Sequence, residues 1–338
     1  MINRRNLIKS TTLAAGALAL GLSAGFARAA DPIVIKFSHV VAPNTPKGKG
    51  ADKFKELAEK YTNGAVKVEV YPNSQLLKDK EELEALQLGA VQMLAPSLAK
   101  FGPLGIKEFE VFDLPYIFPD YDALHKVTKG PVGKELLDKL GDKGIQGLAY
   151  WDNGFKIMSA NSKIDKPEDF LGLKMRIQSS KVLEAQMNAL GAVPQVMAFS
   201  EVYQALQTGV VDGTENPPSN MYTQKMHEVQ KFATMSNHGY LGYAVIVNKK
   251  FWDGLPQDVR ASLTKAMDES TDYANGIAKE ENDKALAAMK AAGTTQFHDL
   301  TEDELKLWRS SLAPVRKQMA DRIGADLVKR TEAAAGTK

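Results

Sequence analysis

Arg176 stands in GLKMRIQSS (172–180), where Leu173, Met175 and Ile177 alternate with Lys174, Arg176 and Gln178. A period of two is the pattern of a strand with one buried face. On alternation alone Arg176 belongs to the solvated face. The alternative is a guanidinium aimed into a cleft, where its planar fork of N–H donors would match a carboxylate. Other chemistry is scarce. The chain has no GxSxG, no GxxxxGK[ST], no HExxH and no GxGxxG after a strand, so familiar nucleophile, phosphate and zinc arrangements are missing. The histidines at 39, 125, 227, 238 and 298 are scattered, with no pair at metal-ligand spacing. No cysteine occurs, which excludes disulfides, thiolate nucleophiles, Cys-zinc sites and a lipid-modified N-terminal Cys. No catalytic residue, metal or cofactor is expected.

The elements that position Arg176 belong to a chain of 338 residues, longer than one comfortable core and suited to two domains. Its first 29 residues are of another kind. Arg4, Arg5 and Lys9 precede the mild apolar run TTLAAGALALGLSAGF, and Ala27-Arg28-Ala29 offers small residues for cleavage. This is the layout of a secretory signal peptide. Arg4-Arg5 with the weak hydrophobicity resembles a twin-arginine signal, the alternative being an ordinary Sec signal. Without residues 1–29 the 43 basic residues fall to 39 against 41 acidic ones, so charge implies no nucleic-acid or anionic-membrane partner.

Beyond residue 30, IVIKFSHV (33–40) reads as a strand and residues 46–63 as a helix with Ala51, Phe54, Leu57, Ala58 and Tyr61 on one face. A strand at 66–72, a helix at 79–89 and a strand at 91–97 follow. Near Lys143 a second β/α run begins. It takes in GIQGLAYWDNG, LGLKMRIQSS, helix KVLEAQMNALG, strand AVPQVMA, helix SEVYQALQTG and VVDGTENPP. This rhythm predicts largely parallel sheets with helices on their faces. The runs also echo one another, since Ala85-Leu86-Gln87-x-Gly89-x-Val91 recurs 120 residues on as Ala205-Leu206-Gln207-x-Gly209-x-Val211. Two lobes on one plan would face each other across a cleft lined by strand ends. Those ends are Ser38, His39 and Ser97 from the first lobe, and Asn153 to Lys156, Arg176 to Ser179 (with Gln178) and Glu215-Asn216 from the second.

After a strand at 241–252 comes a long helical stretch whose ~30 residues would reach about 45 Å, enough to span two lobes. Two short helices and a polar tail end the chain. The expected organisation is signal peptide 1–29; lobe I, 30–152 with about 242–280; lobe II, 153–241 with about 281–330; and tail 331–338.

The segments FSHVVAPNTPKG (37–48), NSQLLKDKEELEALQLGAVQM (73–93), FEVFDLPYIF (109–118), WDNGFK (151–156), GLKMRIQSS and VVDGTENPPSN (210–220) resemble the extracytoplasmic solute receptors of tripartite ATP-independent periplasmic (TRAP) transporters. They are most like the C4-dicarboxylate branch, and the resemblance runs from Asp31 to about Ala325. It implies an α/β, two-lobed periplasmic-binding-protein-like (type II-like) fold with a long helix spanning both lobes. It also implies a monomeric periplasmic receptor, not an enzyme, that hands an organic acid to membrane permease subunits. Arg176 would then pair bidentately with a ligand carboxylate and Lys156 would be a second cation. Asn216 would both donate and accept, and Glu215 would be structural or orient a cation. His39 is either a donor to the distal carboxylate or a structural hydrogen-bonder, with Ser38 and Ser97 beside it. Phe155 and Tyr240 are expected on the pocket wall, Trp151 and Phe199 in the core. The competing readings are another organic acid (2-oxo, sugar or aromatic), a periplasmic enzyme on the same scaffold, and an adhesin or structural exported protein.

Overall fold

The computed structural model describes residues 31–337, so the expected signal peptide lies outside the described residues. The first β/α run is β1 (Ile33–Ser38), α1 (Pro46–Tyr61), β2 (Val66–Tyr71), α2 (Glu82–Gln87) and β3 (Met93–Leu94). Helices α3 (Tyr121–Thr128) and α4 (Pro131–Lys139) precede β4 (Ile145–Phe155), which passes through Lys156 alone into β5 (Ile157–Ala160). The second run is β6 (Lys174–Ile177), α5 (Lys181–Ala189), β7 (Val193–Val196), α6 (Val202–Gln207), β8 (Gly213–Asn216) and α7 (Pro218–Thr223). Strands β9 (Phe232–Thr234) and β10 (Tyr240–Asn248) and helix α8 (Lys249–Asp253) lead to α9 (Gln257–Ala292). Strand β11 (Gln296–His298) and helices α10 (Glu302–Ile323) and α11 (Ala325–Ala335) follow.

Two sheets result, ordered β2-β1-β3-β10-β4 and β11-β9-β5-β8-β6-β7. The β/α runs form the expected parallel parts, β2-β1-β3 and β8-β6-β7. Both sheets are mixed, however, because β10 is antiparallel to β3 and β4, and β5 is antiparallel to β8 and β9. These antiparallel strands carry the chain from one sheet to the other. Phe155 pairs with Tyr240, and the Lys156 N–H donates to the Gly239 carbonyl at 2.8 Å, so the two crossings are bonded to each other.

The echo is structural. Helices α2 and α6 span equivalent residues, Gly89 and Gly209 follow them at φ 78° and 73°, and the next strands are β3 and β8. A positive φ ends each helix where glycine carries no Cβ penalty. Leu86 and Leu206 fill the same place under their lobes, as do Val91 and Val211.

Helix α9 has 36 residues, about 54 Å at the α-helical rise, and lies along both α1 and β4. One face of it carries amides and hydroxyls that hold β4 in register. Thr271 accepts from the Trp151 indole at 2.8 Å. Asn275 Oδ1 accepts from Asp152 N at 2.8 Å, and Asn282 Nδ2 donates to the Asn153 carbonyl at 2.6 Å.

The chain end departs from expectation. Helix α10 runs unbroken for 22 residues through Pro314, held by Trp308, which packs edge-on to Phe170 with ring centroids 5.4 Å apart. Arg322 at its end pairs with Glu110 in the 3₁₀ segment Lys107–Asp113. Residues 331–335 are not a polar tail. They are helical, with Thr331 and Ala335 buried on α11 and the Thr331 hydroxyl donating to Leu327 O. The helix expected at 79–89 and the strand expected at 91–97 are shorter, α2 covering Glu82–Gln87 and β3 Met93–Leu94.

Gly154 lies against α9, where an added Cβ would stand 2.7 Å from Asn282 Nδ2. Gly154→Ala is expected to push Asn282 off the β4 backbone and destabilise the protein by about 1–3 kcal/mol, read as a lowered urea midpoint.

Candidate ligand-binding site

Between the two sheets lies a cleft whose lining includes Lys47, Asp79, Glu82, Ser97, Lys100, Arg176, Gln178, Phe199, Asn216, Asn220 and Tyr243. Arg176 is 1% exposed and so is not on a solvated face; all of β6 after Lys174 is buried. Its Nε and Nη2 both donate to the Met197 carbonyl, at 3.1 and 2.8 Å, and its charge lies 5.8 Å from the Phe199 ring centre. Of the five guanidinium N–H donors, two are thereby used. Among the described residues Nη1 has no hydrogen-bond partner, so the Nη1/Nη2 edge keeps a free fork. Burial lowers the Arg176 pKa, opposed by Asp79 and Glu215, but a guanidinium remains charged.

Two lysines share the cleft. Lys47, in the first turn of α1, donates to Ala95 O at 2.9 Å and sits 3.7 Å over the Tyr243 ring, a cation–π contact. Lys100, after β3, pairs with Asp79 at 2.7 Å. Burial lowers both ammonium pKa values, with nearby carboxylates pulling the other way. Tyr243 OH and Asn220 Oδ1 take hydrogen bonds from Asn153 Nδ2 at 2.6 and 2.8 Å, which ties the cleft to the strand crossing.

Of the residues singled out from sequence, Arg176, Gln178, Asn216 and Ser97 meet here. Lys156 does not. Its ammonium is buried against Glu215 at 2.7 Å, and the other oxygen of Glu215 takes His238 Nε2 at 2.8 Å. Burial alone would raise the Glu215 carboxyl, but Lys156 and His238 outweigh it and hold it at about 2. The reading of Glu215 as the orienter of a cation is therefore the apt one, and the cation is Lys156. Ser236 Oγ lies 2.7 Å from His238 Nδ1. The resulting Ser–His–Glu chain is sealed from solvent and lines no part of the cleft, so it is an internal hydrogen-bond chain.

Ser38 and His39 are buried outside the cleft lining. Burial, then the charge of Lys47, presses the His39 pKa down to about 3, so it is neutral and cannot pair with a carboxylate as a cation. Phe155 and Tyr240 belong to an aromatic cluster with Tyr121 and Phe118, and the Tyr240 hydroxyl donates to Asp152 at 2.6 Å. The aromatic wall is instead Phe199 and Tyr243. Lys47 was findable, because it lies four residues before Ala51 on the buried stripe of α1. Lys100 sits 120 residues before Asn220, and Asp79 120 before Phe199, the offset of the echo; all four line the cleft.

The family described as "Bacterial extracellular solute-binding protein, family 7" matches residues 37–322. The chain belongs to this family. Over 319 residues, 94% of the chain and 96% of the relative, it is 78% identical to the C4-dicarboxylate-binding periplasmic protein DctP of Rhodobacter capsulatus. A C4-dicarboxylate-binding protein of Bacillus subtilis is 43% identical, over 88% of this chain and 85% of that one. Among solved structures, a TRAP periplasmic solute-binding protein of Sulfurospirillum deleyianum with bound succinate has a TM-score of 0.87 and 49% identity, covering 89% of this chain and 99% of that one. One from Pseudomonas aeruginosa with bound L-malate has a TM-score of 0.83 and 46% identity, with 85% and 100% covered. Members of this family bind solutes and are not enzymes, and this chain is a solute-binding protein of that two-lobed fold.

Removing the Lys156 ammonium leaves the buried Glu215 carboxylate without the charge paired to it. Lys156→Met is expected to cost about 3–5 kcal/mol of stability, measured by denaturant unfolding. Because the Glu215 pKa is depressed from 4.5 to about 2, its stabilisation is complete above 4.5 and is lost as pH falls toward 2; the variant should lack that part of the acid transition.

Proposed function

We propose that the protein is the periplasmic receptor of a TRAP transporter, that it holds a C4-dicarboxylate of the succinate, fumarate or malate type in the cleft, and that it passes this ligand to membrane permease subunits. The observation that carries the ligand reading is the placing of the cations. Arg176 enters from the second lobe with a free bidentate edge, while Lys47 and Lys100 enter from the first. A short acid with a carboxylate at each end could pair with both walls at once, and a monocarboxylate would leave one wall unmatched. The relatives named for C4-dicarboxylates and the structures holding succinate and malate support the same class.

In this reading Arg176 orients the first carboxylate and Lys47 and Lys100 meet the second. Asn216, Asn220, Gln178 and Ser97 supply neutral donors and acceptors around the chain between them. Residues 1–29 serve as the export signal, of the twin-arginine kind. The mature protein acts as a monomer.

Two outcomes are expected. Succinate, fumarate or malate at a hundred times Kd should stabilise the mature protein by about 2.7 kcal/mol, seen as a raised Tm that acetate and butyrate do not produce; an equal rise with monoacids would contradict the reading. Arg176→Lys keeps the charge but loses the fork, and is expected to weaken succinate binding by about 2 kcal/mol or more, roughly thirtyfold in Kd by calorimetry.

A further inference from the structure

Two carboxylates share the cleft with the three cations, and an anionic ligand gains nothing from either. Asp79 is accounted for, since it pairs with Lys100 and accepts from Phe199 N at 3.2 Å. Glu82 is not. It is the first residue of α2, is 1% exposed and lines the cleft. Among the described residues its carboxyl makes no hydrogen bond or ion pair. The charged groups acting on it are Lys47 from α1, Asp79 from the loop before α2 and Lys100 from the turn after β3. The Tyr243 phenol on β10 is near enough to sense its charge, and Arg176 on β6 lines the same cleft.

With every group ionised the cleft holds three positive charges and two negative ones. A dianion makes the negative charges four. Unbalanced charge in a buried site is not screened by solvent and is correspondingly costly. One proton restores balance, and Glu82 is the carboxyl placed to take it. Asp79 is held ionised by Lys100 against its own burial, whereas burial raises Glu82 toward its neutral form more than Lys47 lowers it. The protonated carboxyl would also gain an O–H donor to offer the ligand.

We propose that Glu82 takes up a proton as a dianion enters the cleft, so that the protein captures the ligand and a proton together. This rests on the dicarboxylate reading. The ligand raises the proton affinity of Glu82, so affinity rises as pH falls, by up to tenfold per pH unit where a whole proton is taken up. A monoanion leaves the charges balanced without any proton, so its affinity should not carry this slope.

The test is calorimetric titration of the mature protein with succinate at pH 7.5, in buffers of small and large ionisation enthalpy. For wild type the heat is expected to vary with buffer enthalpy with a slope approaching one proton taken up. In Glu82→Gln the slope should fall to near zero, and succinate should bind more tightly than to wild type at pH 8. Succinate binding to wild type without buffer dependence would overturn the proton step alone. So would a slope retained in Glu82→Gln. Absence of succinate binding to wild type would overturn the ligand reading, and this inference with it.

Discussion

Putting three cations into one sheltered cleft costs hydration and sets like charges against each other. The site is arranged around that cost. Arg176 and Lys47 are both satisfied by neutral groups, a backbone carbonyl and an aromatic ring each. Such partners steady a cation without cancelling its charge. Lys156 is instead paired with the buried carboxylate of Glu215, and its field is spent inside the protein. Lys100 lies between these cases, paired with Asp79 yet open to the cleft. The nature of the partner, not the presence of a cation, separates the groups that can hold an anion from those that hold the fold.

This distinction explains what could be read in advance. The β/α rhythm, the 120-residue echo and the long helix were all plain in the sequence, because hydrophobic period and glycine-ended helices are local signals. Arg176 was identifiable as a candidate, though alternation alone would have put it on the wrong face. A four-residue strand is too short for its period to outweigh where the sheet sits. Lys156 was misplaced for a related reason. A position at a strand end is visible in sequence, but the buried Glu215 that consumes its charge lies 59 residues away. Lys47 shows the converse. A lysine on an otherwise apolar helical stripe is a signal in itself, and the stripe of α1 extends one turn back from Ala51 to Lys47.

Internal duplication positions more of the cleft than any single motif. Asp79 and Phe199 are equivalent by the 120-residue offset, and the Asp79 carboxylate accepts the Phe199 N–H across the cleft. Lys100 and Asn220 are equivalent too, and both follow the strand ends that β3 and β8 present. Equivalent places in facing lobes have thus diverged into unlike chemistry, a cation on one wall and an amide on the other. Such asymmetry suits a ligand that must be gripped end to end.

The bonded pair of strand crossings has a mechanical side. A two-stranded ribbon bends readily across its flat face but resists shear, because sliding one strand past the other would break the Phe155–Tyr240 register and the Lys156–Gly239 bond together. Helix α9 runs alongside like a strut, its amides fixed to β4. Bending of the ribbon therefore disturbs fewer of these bonds than sliding of its strands would. In the proposed reading the arginine fork and the lysines stand on walls joined by a connection that resists shear, so their spacing would act as a ruler for the length of the acid.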